Sequence, residues 1–326
     1  MKSTVWLYWR RLFLFGAVCI WPLVGVGAAG LDPTGDYSGG ILDAGRVLEA
    51  AREVSVERYP NADDILLDNH IFTAYEADGT AVNWDDTFIK VLTEKGMRDH
   101  QSISFGFMLP YTRVTVCLIE VYKADGTSQT IDIAAQSKEM VDRSQMEMNI
   151  YDPNMKVLQV GIPGLEVGDV LRYVIRRDTM KARVADTWSD YTLLEYTSPI
   201  RRLVYEISAP TERPLASIAL KDAVPGTVSY SEEEAAGRTL HRWEALNVPR
   251  MYEEPSMPDL VNVVQRLLVS TIPDWEALSR WYYTLSEPHF IVTPQMRELV
   301  AELITGKQTE REKIEAIFQW VSQKVR

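Results

Sequence analysis

Two cysteines, Cys19 and Cys117, and four histidines, His70, His100, His241 and His289, are the residues of this 326-residue chain best suited to nucleophilic or metal chemistry. A thiol attacks a carbonyl carbon only as the thiolate, with a base to take its proton. Cys117 lies in V-T-V-C-L-I-E-V, apolar on both sides, and no histidine is near it in sequence. Free cysteine is among the most buried residue types, so this pattern predicts a structural thiol in a central strand. The histidines share no short spacing such as H-x-x-x-H, and no zinc set is expected. His70 is read as alternating with Leu67 and Phe72 in a strand and is expected on the solvent face.

Adjacent carboxylates could serve acid–base or calcium chemistry, and Asp63-Asp64, Asp85-Asp86 and Glu232-Glu233-Glu234 are the sets present. Neighbours along a strand point to opposite faces, which argues against a shared site. The glutamate run beside Ala235-Ala236-Gly237 reads as a solvated loop. Trp84, Trp188 and Trp243 fall in strand-like runs, where they would serve either as core or as a platform for stacking sugars or peptides; core is the favoured reading. Trp281 and Trp320, on helical stretches, are expected at a domain junction. The glycines form neither a phosphate loop nor a dinucleotide fingerprint. No catalytic, cofactor-binding or metal-ligating residue is assigned, and no cofactor is expected.

The elements that would position these residues begin after residue 29. Lys2, Arg10 and Arg11 precede an apolar run from Leu12 to Val26, followed by Gly27, Ala28 and Ala29, the order of a secretory signal peptide. The expected location is periplasmic or extracellular, the alternative being a membrane anchor formed by residues 12–26. Cleavage would remove three positive charges from a formal net charge of −12. An acidic exported chain does not suit nucleic acid, whose binding relies on Lys and Arg. It would keep Cys117 alone, which cannot form an internal disulfide.

Residues 41–54 have helical spacing, with Leu42, Val47, Leu48, Ala51 and Val54 near one face. From Ile65 to about Thr271, runs rich in Val, Ile, Thr, Tyr and Phe are cut by Gly, Pro, Asn and Asp, the pattern of many short strands. Y-E-A-D-G-T at Tyr75–Thr80 nearly repeats as Y-K-A-D-G-T at Tyr122–Thr127, and each Asp-Gly predicts a hairpin with a type I′ turn. Further strands are expected at Lys156–Val160, Val170–Arg176, Asp190–Tyr196, Leu203–Ser208 and Arg238–Trp243, with a last one within Val261–Ser270. Pro249–Pro258 reads as a connector. Three helices should follow: one capped by Asp274, one opened by Thr293-Pro294 and closed at Gly306, and one from Thr309, whose spacing to Glu312 is that of a capping box. On the last, Ile314, Ile317, Phe318, Val321 and Val325 form one apolar stripe that needs a partner.

Y-P-N-A-D-D-I-L-L-D (Tyr59–Asp68), the Y-x-A-D-G-T hairpin, F-I-K-V-L-T-E-K-G (Phe88–Gly96) and V-G-I-P-G-L-E-V-G-D-V-L-R-Y (Val160–Tyr173) resemble domain of unknown function 3857. The resemblance covers roughly Val54 to Pro210. That domain stands N-terminal to transglutaminase-like domains in exported bacterial proteins. W-E-A-L-S-R-W-Y (Trp275–Tyr282) and R-E-K-I-E-A-I-F-Q-W-V (Arg311–Val321) look like the helices leading into such a papain-like thiol core. The Cys, His and Asp of that family would follow these helices and have no counterparts in this sequence, so the resemblance carries over no catalytic residue.

The expected fold is mainly β, an antiparallel β-sandwich with a short N-terminal helix and a C-terminal helical segment. The expected divisions are a signal peptide (1–29), an N-terminal helical segment (30–58), the β-sandwich domain (59–271) and the helical start of a truncated transglutaminase-like domain (272–326). The expected function is that of a non-catalytic accessory module, with the chemistry carried by a downstream transglutaminase-like domain or an envelope protein or peptide as partner. The alternative is a self-contained module that binds envelope glycan or peptide through exposed aromatics.

Overall fold

A computed structural model of the chain describes residues 30–146 and 151–325; the expected signal peptide lies outside the described residues. Helix α1 (Ala44–Ala51) is capped by Asp43, whose carboxylate accepts from the Arg46 N–H. Strands β1 (Asp64–Tyr75) and β2 (Ala81–Val91) form the first hairpin, followed by α2 (Glu94–His100), β3 (Ser102–Met108), β4 (Thr112–Tyr122) and β5 (Ser128–Thr130). A single helical turn α3 (Ile133–Gln136) leads to β6 (Ser137–Val141), β7 (Met155–Gly161), β8 (Val170–Thr179), β9 (Ser189–Leu193) and β10 (Ile200–Pro210). Then come β11 (Ser217–Lys221), β12 (Val228–Ala235), β13 (Arg238–Val248) and β14 (Arg266–Ser270). Helices α4 (Trp275–Ser286), α5 (Pro294–Leu303) and α6 (Glu310–Lys324) complete the described chain.

The fold is mainly β, as expected. An eight-stranded sheet has the order β12-β13-β10-β1-β2-β8-β4-β5, and two three-stranded sheets have the orders β11-β14-β9 and β3-β7-β6. The pairing departs from a purely antiparallel sandwich at one ladder, because β1 and β10 run parallel. One face of the large sheet packs against both small sheets. Leu203, Tyr205 and Trp243 of the large sheet meet Leu267 and Val269 of β14, while Leu171 and Ile175 meet Val160 of β7 and its neighbours. The other face takes α1 and the N-terminal arm, with Val47 and Ala51 against Ile65, Leu67 and Phe88.

Both repeated hairpins form, with a turn other than type I′. Glu76 N donates to the Thr80 carbonyl at 2.8 Å and Gly79 N to the Glu76 carbonyl at 2.9 Å; the same pattern recurs at Lys123–Thr127. Only the glycine has positive φ, +83° at Gly79 and +89° at Gly126. This is a three-residue loop with glycine in the left-handed position. Asp78 and Asp125 instead accept from the N–H and hydroxyl of Thr80 and Thr127. The glutamate run is likewise not a loop. Glu232–Glu234 lie on the edge strand β12, where exposed charge suits an otherwise unpaired edge.

Candidate functional site

The residues singled out in the sequence do not gather at one place. Cys117 sits at an irregularity in the β4–β8 ladder, and burial pushes its thiol up, with Asp36 adding to the effect. Its one hydrogen-bond contact among the described residues is the Thr115 carbonyl at 3.9 Å. His70 is buried, in contrast to its expected solvent position, and its Nε2 lies 2.9 Å from Glu206 Oε2. Two residues apart, His70 and Phe72 share a face and do not alternate; Tyr37 covers Phe72 there, and His70 belongs to a polar ladder in which Arg242 also reaches Glu206. His241 is buried on the opposite face, where Nδ1 meets the Tyr230 hydroxyl at 2.8 Å and burial lowers its pKa. His289 lies in a turn after α4.

The strand tryptophans are core. Trp84 meets Tyr37 edge-on at 5.9 Å, Trp188 stacks on Tyr75 at 4.6 Å, and Trp243 packs on Tyr205 and Tyr230, all three buried. They offer no stacking platform. Trp281 and Trp320 are half-buried.

Asp85 and Asp86 do point to opposite faces, and their surroundings separate a structural role from a candidate site. Asp86 is fully buried and takes two bonds from Arg172, at 3.0 and 2.9 Å. It also accepts from the N–H groups of Ile41 and Leu42 at 2.7 and 2.8 Å, so this ion pair fastens the N-terminal arm to the sheet. Arg172 returns a bond to the Leu42 carbonyl and lies 4.8 Å above the Phe88 ring.

Asp85 faces a cleft of about 470 Å³ on the other face, floored by β1, β2 and β8 and walled by β9. Asn69 Nδ2 and Thr87 Oγ1 donate to its Oδ1 at 2.5 and 2.7 Å. Across the cleft, Asp190 accepts from the Tyr205 hydroxyl at 2.7 Å and the Tyr191 N–H at 2.8 Å. Arg177 projects from the floor and donates to the Gly106 carbonyl of β3 at 2.7 Å. Among the described residues it makes no ion pair. Asp85 and Asp190 remain partly open to water but are hemmed in by protein, and this desolvation raises both carboxyl pKa values. Burial likewise lowers that of Arg177. Perturbed groups converging on a cavity mark a candidate binding site.

A second, more apolar cavity of about 310 Å³ lies where the connector crosses Tyr59–Ala62. Its three arginines are already engaged, Arg250 by the Asn61 carbonyl and the Tyr252 ring, Arg201 by the Ala50 carbonyl and Arg58 by Glu53, so the polar cleft is the stronger candidate.

Sequence reading named Asp85 but missed Arg177 and Asp190. The signal for Arg177 exists: Leu171, Tyr173, Ile175 and Arg177 alternate along β8, placing a cation at an inward position. Asp190 becomes a cleft residue only because β9 pairs with β14 and not with the large sheet, which no local pattern announces.

Helices α4, α5 and α6 bury none of their residues. Trp275 is 84% exposed, and Phe290, Phe318 and Ile314 are exposed too.

The solved structure of a "putative protease" from Parabacteroides distasonis ATCC 8503 is similar to this chain, with a TM-score of 0.66 and 19% identity. The match covers 80% of this chain and 50% of that one, so the chain spans about half the length of that protein. At that identity the likeness shows the fold alone. An M1 zinc metallopeptidase mutant from Deinococcus radiodurans aligns with a TM-score of 0.29 at 11% identity, over 64% of this chain and 42% of that one, too weak for any argument. No curated protein matches the sequence. Residues 77–252 match the family described as a domain of unknown function with solved structure, DUF3857. The match takes in more than half of the chain, from the turn of the first hairpin to the connector, and the chain belongs to the DUF3857 family.

Proposed function

We propose that this chain is a non-catalytic accessory module of an exported transglutaminase-like protein, positioning a thiol-dependent catalytic partner through its C-terminal helices. The observation that carries this reading is the state of those helices. Each is well capped and none of their residues is buried, while Trp275, Tyr282, Leu285, Ile314, Phe318 and Val321 face water. Exposed apolar surface of this extent marks a contact with another protein surface. The likeness to a longer protein called a protease is consistent with such a partner. Cys117 fits no catalytic role in this reading, because burial disfavours its thiolate.

Incubating the isolated chain and its Cys117→Ser variant with fluorogenic peptide amides and amine-crosslinking substrates tests this. Neither protein should turn over substrate. Thiol-sensitive turnover lost in Cys117→Ser would make the chain itself the enzyme. Turnover that survives the substitution and depends on another residue would sink the assignment of thiol chemistry altogether.

A further inference from the structure

The cleft holds three charged groups that the protein does not pair with one another. The Arg177 guanidinium is held by one backbone carbonyl. Asp85 and Asp190 are oriented by neutral donors only, namely Asn69, Thr87, Tyr205 and a backbone N–H. Asp85 Oδ2 has no hydrogen-bond partner among the described residues. Arg177 attracts both carboxylates without touching either, and charges left without a direct partner in a partly desolvated cavity carry a cost that a complementary ligand reduces. A structural role would be served better by a direct ion pair, and Asp86 with Arg172, one residue along β2, shows that this sheet builds one where stability needs it.

We infer that the cleft between β9 and the large sheet binds a short peptide with free termini, its ammonium group against Asp85 and its carboxylate against Arg177. A guanidinium is the side chain best suited to a bidentate carboxylate. An ammonium group needs acceptors, which Asp85 Oδ2 supplies. Thr73 and Asn83, already bonded to each other at 2.8 Å, line the floor and can serve the peptide unit between the termini. Trp188 and Ile71 give the cleft an apolar wall for small side chains. A volume of about 470 Å³ lies within the range of small-ligand sites. This inference uses only the β sheets and is independent of the accessory role proposed for the helices.

Calorimetry with the full chain and alanyl-alanine, its N-acetyl derivative and its C-terminal amide tests it. The free dipeptide should bind, and blocking either terminus should weaken binding at least ten-fold. Asp85→Asn, whose amide oxygen still accepts from Asn69 and Thr87, should lose discrimination against the N-acetyl derivative alone. Arg177→Gln should lose discrimination against the amide alone. No heat with any of the three at millimolar concentration, or equal affinity for free and blocked forms, overturns the inference. The blocked ligands on the unmodified protein keep the test valid should a variant fail to fold.

Discussion

The β sheets and the three C-terminal helices are equally well specified locally and differ in what their apolar side chains meet. In α6 the capping box is complete: Glu312 N donates to Thr309 Oγ1 at 3.2 Å, and Thr309 N donates to Glu312 Oε2 at 2.9 Å. Its stripe of Ile314, Phe318, Val321 and Val325 is nonetheless exposed. In the large sheet, Leu203, Tyr205 and Ile207 alternate along β10 onto one face, all three fully buried. Helices of 12, 10 and 15 residues are near or below the length at which isolated helices hold together in water. Local signals therefore set where an element starts and stops, whereas its stability is a property of the surface it meets.

The largest expected effect lies in the β part. Arg172→Ala strands the fully buried Asp86 carboxylate and should cost about 3–5 kcal/mol. Urea unfolding followed by tryptophan fluorescence measures it. A loss near zero would mean that the N–H groups of Ile41 and Leu42 alone satisfy Asp86. Two leucines sharpen the contrast between regions. Leu203→Ala, at a fully buried site, should cost about 2–5 kcal/mol. Leu285→Ala, at a site 53% exposed, should stay within about 0.5 kcal/mol. Comparable losses at the two sites would break the comparison, because the helices would then share the core.

The extent to which this was legible in sequence follows the same division. Most strands of the large sheet, the two repeated hairpins and all three C-terminal helix caps were readable, since each depends on residues within a few positions of one another, whereas β3, β6, β11 and the glutamate strand β12 were not. Long-range pairings were not. Nothing local places β10 parallel to β1, although Leu66–Ala74 runs beside Ile200–Ser208 and both strands are central. β1 also lies outside residues 77–252, so the family match alone omits a strand at the middle of the sheet. His70 shows the limit for sites. Its spacing from the buried Phe72 puts both on one face, which the reading of His70 as a solvent-face residue overlooked, and its partner Glu206 is 136 positions away. Arg177 and Asp190 meet in one cleft for the same long-range reason.

The most local effect asks whether the two regions unfold together. Thr309→Ala removes one half of the capping box and should cost α6 about 1 kcal/mol. Hydrogen exchange separates the outcomes. If α6 opens independently, only its own amides exchange faster, by roughly five-fold for a loss of that size, while those of β1 and β10 are unchanged. An equal acceleration in β1 and β10 would require α6 to unfold with the sheet as one cooperative unit. Its exposed stripe would then contribute to the stability of the sheet, and the helices could no longer be treated as a surface waiting for a partner.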